Sequence, residues 1–148
     1  MSAATLTGRV LRVETGDRLV VVDRGGAQYP VHLLGIAAPG PGEPFGSAAR
    51  DLLVRQAAGR FAVVEWGGRR TGAVVTGVVQ IGTHDPALDL LYAGLARLDD
   101  AEAALLSPER LQRYQHAQRE AQEQRRGIWS LAGQPPAPPD TRPAQGRM

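Results

Sequence analysis

The chain has 148 residues and a mass of 15.8 kDa, enough for one domain with its own core and short for two. Apolar residues make up 43% and charged residues 22%, a globular balance, and the absence of cysteine excludes a disulfide framework, a thiolate zinc site and a cysteine nucleophile. All 17 basic residues are arginine, set against 15 acids; the pI of 9.7 reflects the lack of groups titrating below the arginine range, not a strongly basic surface.

Residues 5–13 place Leu6, Val10 and Val13 at alternating positions with slips, which predicts a curved or bulged strand. Residues 17–23 are rich in β-branched side chains and close at Gly25-Gly26, a hairpin signal. Residues 27–36 resume as a strand in which Pro30 argues for an edge or bulge position. Residues 37–44, with three prolines and two glycines, form a loop. A helix follows over residues 45–58, its apolar stripe formed by Phe45, Ala49, Leu52, Leu53 and Ala57, with Gly59 beyond its end. Residues 60–66 and 72–81 read as two more strands joined by a hairpin loop at 67–71. A short helix is expected over 86–93. A longer one spans 108–126, opened by Ser107 as N-cap and Pro108 in the first turn and stopped by Gly127. From Ala132 onward there are five prolines in 17 residues, which predicts a disordered tail. The domain organisation is therefore one domain over residues 1–131 and a proline-rich tail over 132–148.

Five strands with one helix between the third and fourth fit a small Greek-key barrel of the OB type, a mainly β architecture with helices (α+β). A sandwich would want about seven strands and no helix. Charge is spread thinly. Residues 1–98 carry ten arginines against eight acids, residues 99–130 five against six, and residues 131–148 two against one. No basic block of the kind that marks a dedicated nucleic-acid binder is present. No apolar run approaches the roughly 18 residues of a membrane span, so no membrane partner is expected. The first residues lack a basic stretch followed by an apolar run, which predicts no signal peptide. A cytoplasmic protein is the default expectation, a secreted or periplasmic one if a signal has been removed, and a monomer is the default state.

Several segments carry a resemblance. Val13-Glu-Thr-Gly-Asp-Arg-Leu-Val-Val21 is similar to the V-x-D-G-D-T-L-x-V opening of the staphylococcal nuclease (thermonuclease) family. Leu33-Leu-Gly-Ile-Ala-Ala-Pro39 resembles its L-x-G-I-D-A-P-E segment, and Pro44-Phe-Gly46 with Ala48-Ala49 its P-F-G-x-x-A. Gly94-Leu-Ala96 resembles the G-L-A after the family's second helix, and Gly127-Ile-Trp-Ser130 the G-I/L-W that ends its last one. The resemblance runs from about Gly8 to Ser130 and implies an OB barrel with three helices. It also implies a calcium-dependent phosphodiester chemistry, with two aspartates and a carbonyl on the metal, a glutamate for the attacking water and two arginines on the phosphate.

Carried over residue by residue, that machinery is mostly missing. The first metal aspartate matches Asp17, but the acid two positions earlier is Thr15 and the threonine that follows is Arg18. The second metal aspartate falls on Ala37, its threonine neighbour on Ala38, the glutamate on Gly40 and the first arginine on His32. The second arginine falls on Val74, or through a gap on Arg69 or Arg70, and the family's asparagine falls on Ala87. One carboxylate is a poor calcium site, and losing even one oxyanion donor commonly costs about 100- to 1000-fold in rate.

The expectation is therefore a non-catalytic nuclease homologue that binds single-stranded nucleic acid or a protein partner through its groove and requires no cofactor. The groove candidates are Asp17, Arg18, His32, Arg69 and Arg70, with Asp17 a vestigial metal ligand. An Asp after Gly at a strand start is more often a turn residue bonding to backbone N–H groups, and Asp17 has that second reading. His32 is either a phosphate contact or a hydrogen-bonded structural histidine. Arg69 and Arg70 at a hairpin tip would grip a nucleic-acid backbone or simply face water. The alternative is a weak calcium-dependent nuclease using Asp17 with Glu43, Arg69 and Arg70 in shifted positions; a purely structural domain of a larger assembly is a third reading. Trp129 is expected to pack on the barrel and Trp66 is open between core and surface. Arg119, Arg125 and Arg126, interleaved with Glu120 and Glu123, read as a solvated helix face. His84 and His116 lack metal-type spacing.

Overall fold

The computed structural model describes residues 4–131; the predicted tail lies outside the described residues. The first strand, β1 (Thr5–Thr15), carries the expected irregularity as two register shifts, between Val10 and Arg12 and between Val13 and Thr15. Those bulges bend the strand. Its first half, Thr5–Arg9, pairs with β5 (Phe61–Glu65), while Arg9 to Thr15 pairs with β2 (Arg18–Val22). A turn then leads to β3 (Gln28–Leu33), with the Asp23 carboxylate accepting from the Ala27 N–H at 2.9 Å.

The ring closes because β3 runs parallel to β7 (Val74–Gln80), with Val31 opposite Val75 and His32 opposite Thr76, and because β7 also pairs antiparallel with β5. The order β3-β2-β1-β5-β7 and back to β3 is a closed, mixed five-stranded barrel. Pro30 is opposite Val20 but sits one residue before the parallel pairing begins, so its missing N–H faces no strand on that flank. The strand pairs on both sides and neither pairing carries a register shift, so the sequence expectation of an edge or bulge position at Pro30 is corrected. Leu19, Val21, Val31, Leu33, Val64 and Val79 fill the interior at 2% exposure or less.

Two additions escaped sequence reading. A two-residue strand β4 (Ile36–Ala37) pairs with β8 (Arg97–Leu98), and β6 (Arg70–Thr71) extends the start of β7, so the predicted loop at 67–71 is partly laddered. The helix α1 (Gly46–Ala57) buries Ala49, Leu53 and Ala57 against the barrel. The helix α2 (Pro86–Tyr92) packs on α4 (Pro108–Glu123), where Ser107 caps the Arg110 N–H as expected. Between them lies the single turn α3 (Asp100–Ala103). The helix α4 ends three residues before the predicted limit, and a 3₁₀ turn covers Gly127–Ser130.

Two of the recognised motifs meet in space. The Ile128 N–H donates to the Gly94 carbonyl at 2.8 Å, and a Cβ at Gly127 would lie 2.1 Å from that same oxygen. Glycine is thus required there for contact as well as for its φ of 53°. Ile128 is the buried residue of the motif, while Trp129 is only half-buried, contrary to expectation. Trp66 is half-buried and packs against the core. Arg126 is not simply solvated: its guanidinium stacks on the Tyr92 ring at 4.4 Å and donates to the Tyr92 carbonyl.

Candidate functional site

Gly16 and Asp17 form the turn that leads into β2, and a Cβ at Gly16 would come 2.6 Å from the Ala49 Cβ and 2.9 Å from the Ala38 Cβ. Small residues therefore let α1 and the corner just after β4 close onto the turn before β2, and this contact places Asp17. Its backbone carbonyl accepts from the Leu33 N–H at 2.9 Å. Its carboxylate accepts from the Thr15 hydroxyl at 2.8 Å and from the Ala38 N–H at 3.1 Å.

His32, on β3 opposite Arg18, stands beside it. Its Nε2 lies 3.4 Å from Asp17 Oδ2, and its Nδ1 lies 3.4 Å from Glu102 Oε1 on α3. Glu102 is held in turn, accepting from the Gly35 N–H at 2.9 Å, while the Asp99 N–H donates to the Gly35 carbonyl. The imidazole thus bridges two carboxylates, with all three side chains about three-quarters or more buried. Both ring nitrogens face a carboxylate.

The electrostatics follow from this arrangement. Burial disfavours the ionised Asp17, but His32, the Ala38 N–H and the Thr15 hydroxyl outweigh it and hold the carboxyl below its ordinary range. Asp17 raises the His32 pKa, with the Glu102 charge adding to it, against the opposing effects of burial and of Arg18. The two carboxylates shift the balance of His32 toward its protonated form.

The other predicted site residues are elsewhere engaged. The Glu43 carboxylate is exposed and accepts from the Gly40 N–H at 2.8 Å, closing its own loop turn. Arg70 Nε donates to the Gly72 carbonyl, and the Arg69 guanidinium lies over Gly67, where an added Cβ would be 3.1 Å from Nη1. Arg69 does reach the row of residues crossing the sheet beside His32, but through its backbone: its carbonyl accepts from the Thr76 N–H. Ala37 and Ala38 present methyl groups to a cavity of about 320 Å³ that Glu43 and Arg97 also line. Among the described residues, no group of three or more His, Asp or Glu side chains is arranged to hold a metal ion. None of their helices is long and apolar enough to cross a membrane.

The model of the staphylococcal nuclease homologue family matches residues 30–131. The chain belongs to that family. The matched span includes His32, Ala37, Gly40, Glu43, Arg69 and Arg70, together with both glycine motifs that meet in space, and begins after Asp17. No curated protein matches the chain.

Sequence reading missed Glu102. Its signal was the Asp99-Asp100-Ala101-Glu102 run, an N-cap acid with a glutamate three residues on, which marks a helix start. Here the Asp99 side chain does cap the Glu102 N–H, but the Glu102 carboxylate turns across to Gly35 and His32 rather than back to its own cap.

Proposed function

We propose that this member of the staphylococcal nuclease homologue family is a non-catalytic domain, its barrel retained for binding. The observation that carries the reading is the Asp17–His32–Glu102 bridge. Calcium takes six to eight oxygen ligands and gains affinity with each carboxylate. Here the one matching carboxylate spends its oxygens on Thr15, Ala38 and an imidazole, with a methyl at the second ligand position, Ala37. This donor set does not suit calcium. The histidine in place of the phosphate-binding arginine has both ring nitrogens turned to carboxylates, so neither is free to hold a phosphodiester oxygen. At the position of the water-activating glutamate stands Gly40.

The relocated-nuclease alternative would need Glu43, Arg69 and Arg70 to converge on Asp17, whereas Glu43 and Arg70 are hydrogen-bonded within their own turns and the Arg69 guanidinium lies beside Gly67. The test is incubation of the purified full chain with single-stranded DNA and RNA, in calcium and in chelator. No metal-dependent cutting is expected. Calcium-dependent cleavage that disappears in Asp17→Ala would refute the proposal.

A further inference from the structure

We infer that single-stranded nucleic acid binds on the far wall of the barrel, in the groove around Phe61, rather than at the position of the family's catalytic site. This inference rests on the non-catalytic reading above. β1 and β5 lie across the barrel from β3, and their outer faces border a groove of about 660 Å³ lined by Thr5, Thr7, Arg9, Asp23, Arg24 and Phe61.

Phe61 is 58% exposed, the most exposed large apolar side chain among the described residues. A single exposed apolar residue is ordinary, but this one has a specific setting. Arg9 is its direct cross-strand neighbour, and Arg24 stands on the β2–β3 turn at the opposite wall. Both arginines are exposed, and neither is in an ion pair among the described residues. Arg9 spends one N–H on the Gly59 carbonyl at 2.7 Å, which fixes its stem and leaves its other donors available. The one acid in the groove, Asp23, accepts from the Ala27 N–H and from the Tyr29 hydroxyl, bonds within its own turn and strand.

An exposed ring in a groove that two arginines outside any ion pair also line is an arrangement that holds a stacked base near its phosphates. It suits a peptide less well. A helical ligand would need further apolar anchors at helical spacing, and Phe61 stands alone in the groove among the large exposed apolar side chains.

The test uses the full chain in chelator and a fluorescein-labelled oligothymidylate of about 12 nucleotides, read by anisotropy over a salt series. Phe61→Ala is expected to weaken binding about tenfold, the value of one stacked base, with the melting temperature unchanged because the ring is exposed. Arg24→Ala and Arg9→Ala are each expected to lower the slope of log affinity against log salt by about 0.7. Should Arg9→Ala be unstable through loss of its Gly59 contact, Arg24→Ala alone carries that arm. Binding that is absent, or is unchanged in Phe61→Ala and Arg24→Ala, overturns the inference. So does failure to bind the oligonucleotide while polyglutamate binds with the same arginine dependence, which would assign the groove to an acidic protein. Cleavage in calcium would refute the non-catalytic reading separately, since the chelator arm measures binding alone.

Discussion

Tyr114 is the largest fully buried side chain, and its hydroxyl donates to Asp85, with Oδ2 at 2.8 Å and Oδ1 at 3.0 Å. Arg110 Nη1 approaches the same carboxylate, joining the N-terminus of α2 to the first turns of α4. Tyr114→Phe removes one hydroxyl without opening a cavity, so the cost is that of a hydrogen bond to a charged group, about 1.5–3 kcal/mol. For a domain of this size that lowers Tm by roughly 5–10 °C. Asp85→Ala should cost more, about 3–5 kcal/mol, because it leaves the guanidinium of Arg110, only 16% exposed, without its partner. Urea unfolding of both single variants and the double variant gives the coupling. In the Asp85→Ala background, Tyr114→Phe should cost little. A single-variant cost below about 0.5 kcal/mol, or the same cost in both backgrounds, would refute the pinning role. Burial and the neighbouring Asp85 also raise the Tyr114 pKa, so a spectrophotometric titration should find this tyrosine silent until the fold is lost.

His32 and Asp17 set a pH window. The folded-state pKa of His32 lies above its ordinary 6.5, so its contribution to stability is fully present below about pH 6.5 and fades as pH rises through the folded value. Asp17 lies below its ordinary 3.8, so its contribution is present above that pH and is lost as pH falls through the folded value. The Tm difference between wild type and His32→Gln should therefore shrink from about pH 5 to about pH 9; a constant or widening gap contradicts the bridge. Gly16→Ala should destabilise by about 1–3 kcal/mol in chemical denaturation through its clash with Ala49 and Ala38, and a neutral substitution would mean that the corner is not closed as described.

The barrel was legible because its signals are local and repeated. β-branched runs marked β2, β5 and β7, the slips in β1 became its bulges, and Ser107-Pro108 marked the start of α4. The parallel closure of β3 on β7 has no local signature, because the two strands lie some forty residues apart and are joined through α1 and β5. The two-residue strands β4 and β8 are too short for any periodicity to show. At the site, Asp17 and His32 were identifiable from their motif positions, but Glu102 lies 70 residues from His32 in sequence and reaches it only because the Gly35 backbone binds both Asp99 and Glu102. Arg69 and Arg70 were read as a hairpin tip, whereas Arg70 lies in β6 opposite Val75 and turns its Nε back to the Gly72 carbonyl, which sequence spacing does not reveal.

The central proposal is that a histidine bridge stands in place of the divalent-cation site. Isothermal titration of the full chain with calcium chloride tests it most directly. No saturable heat at millimolar calcium is the expected result. A single-site isotherm in that range, abolished by Asp17→Ala, would contradict it.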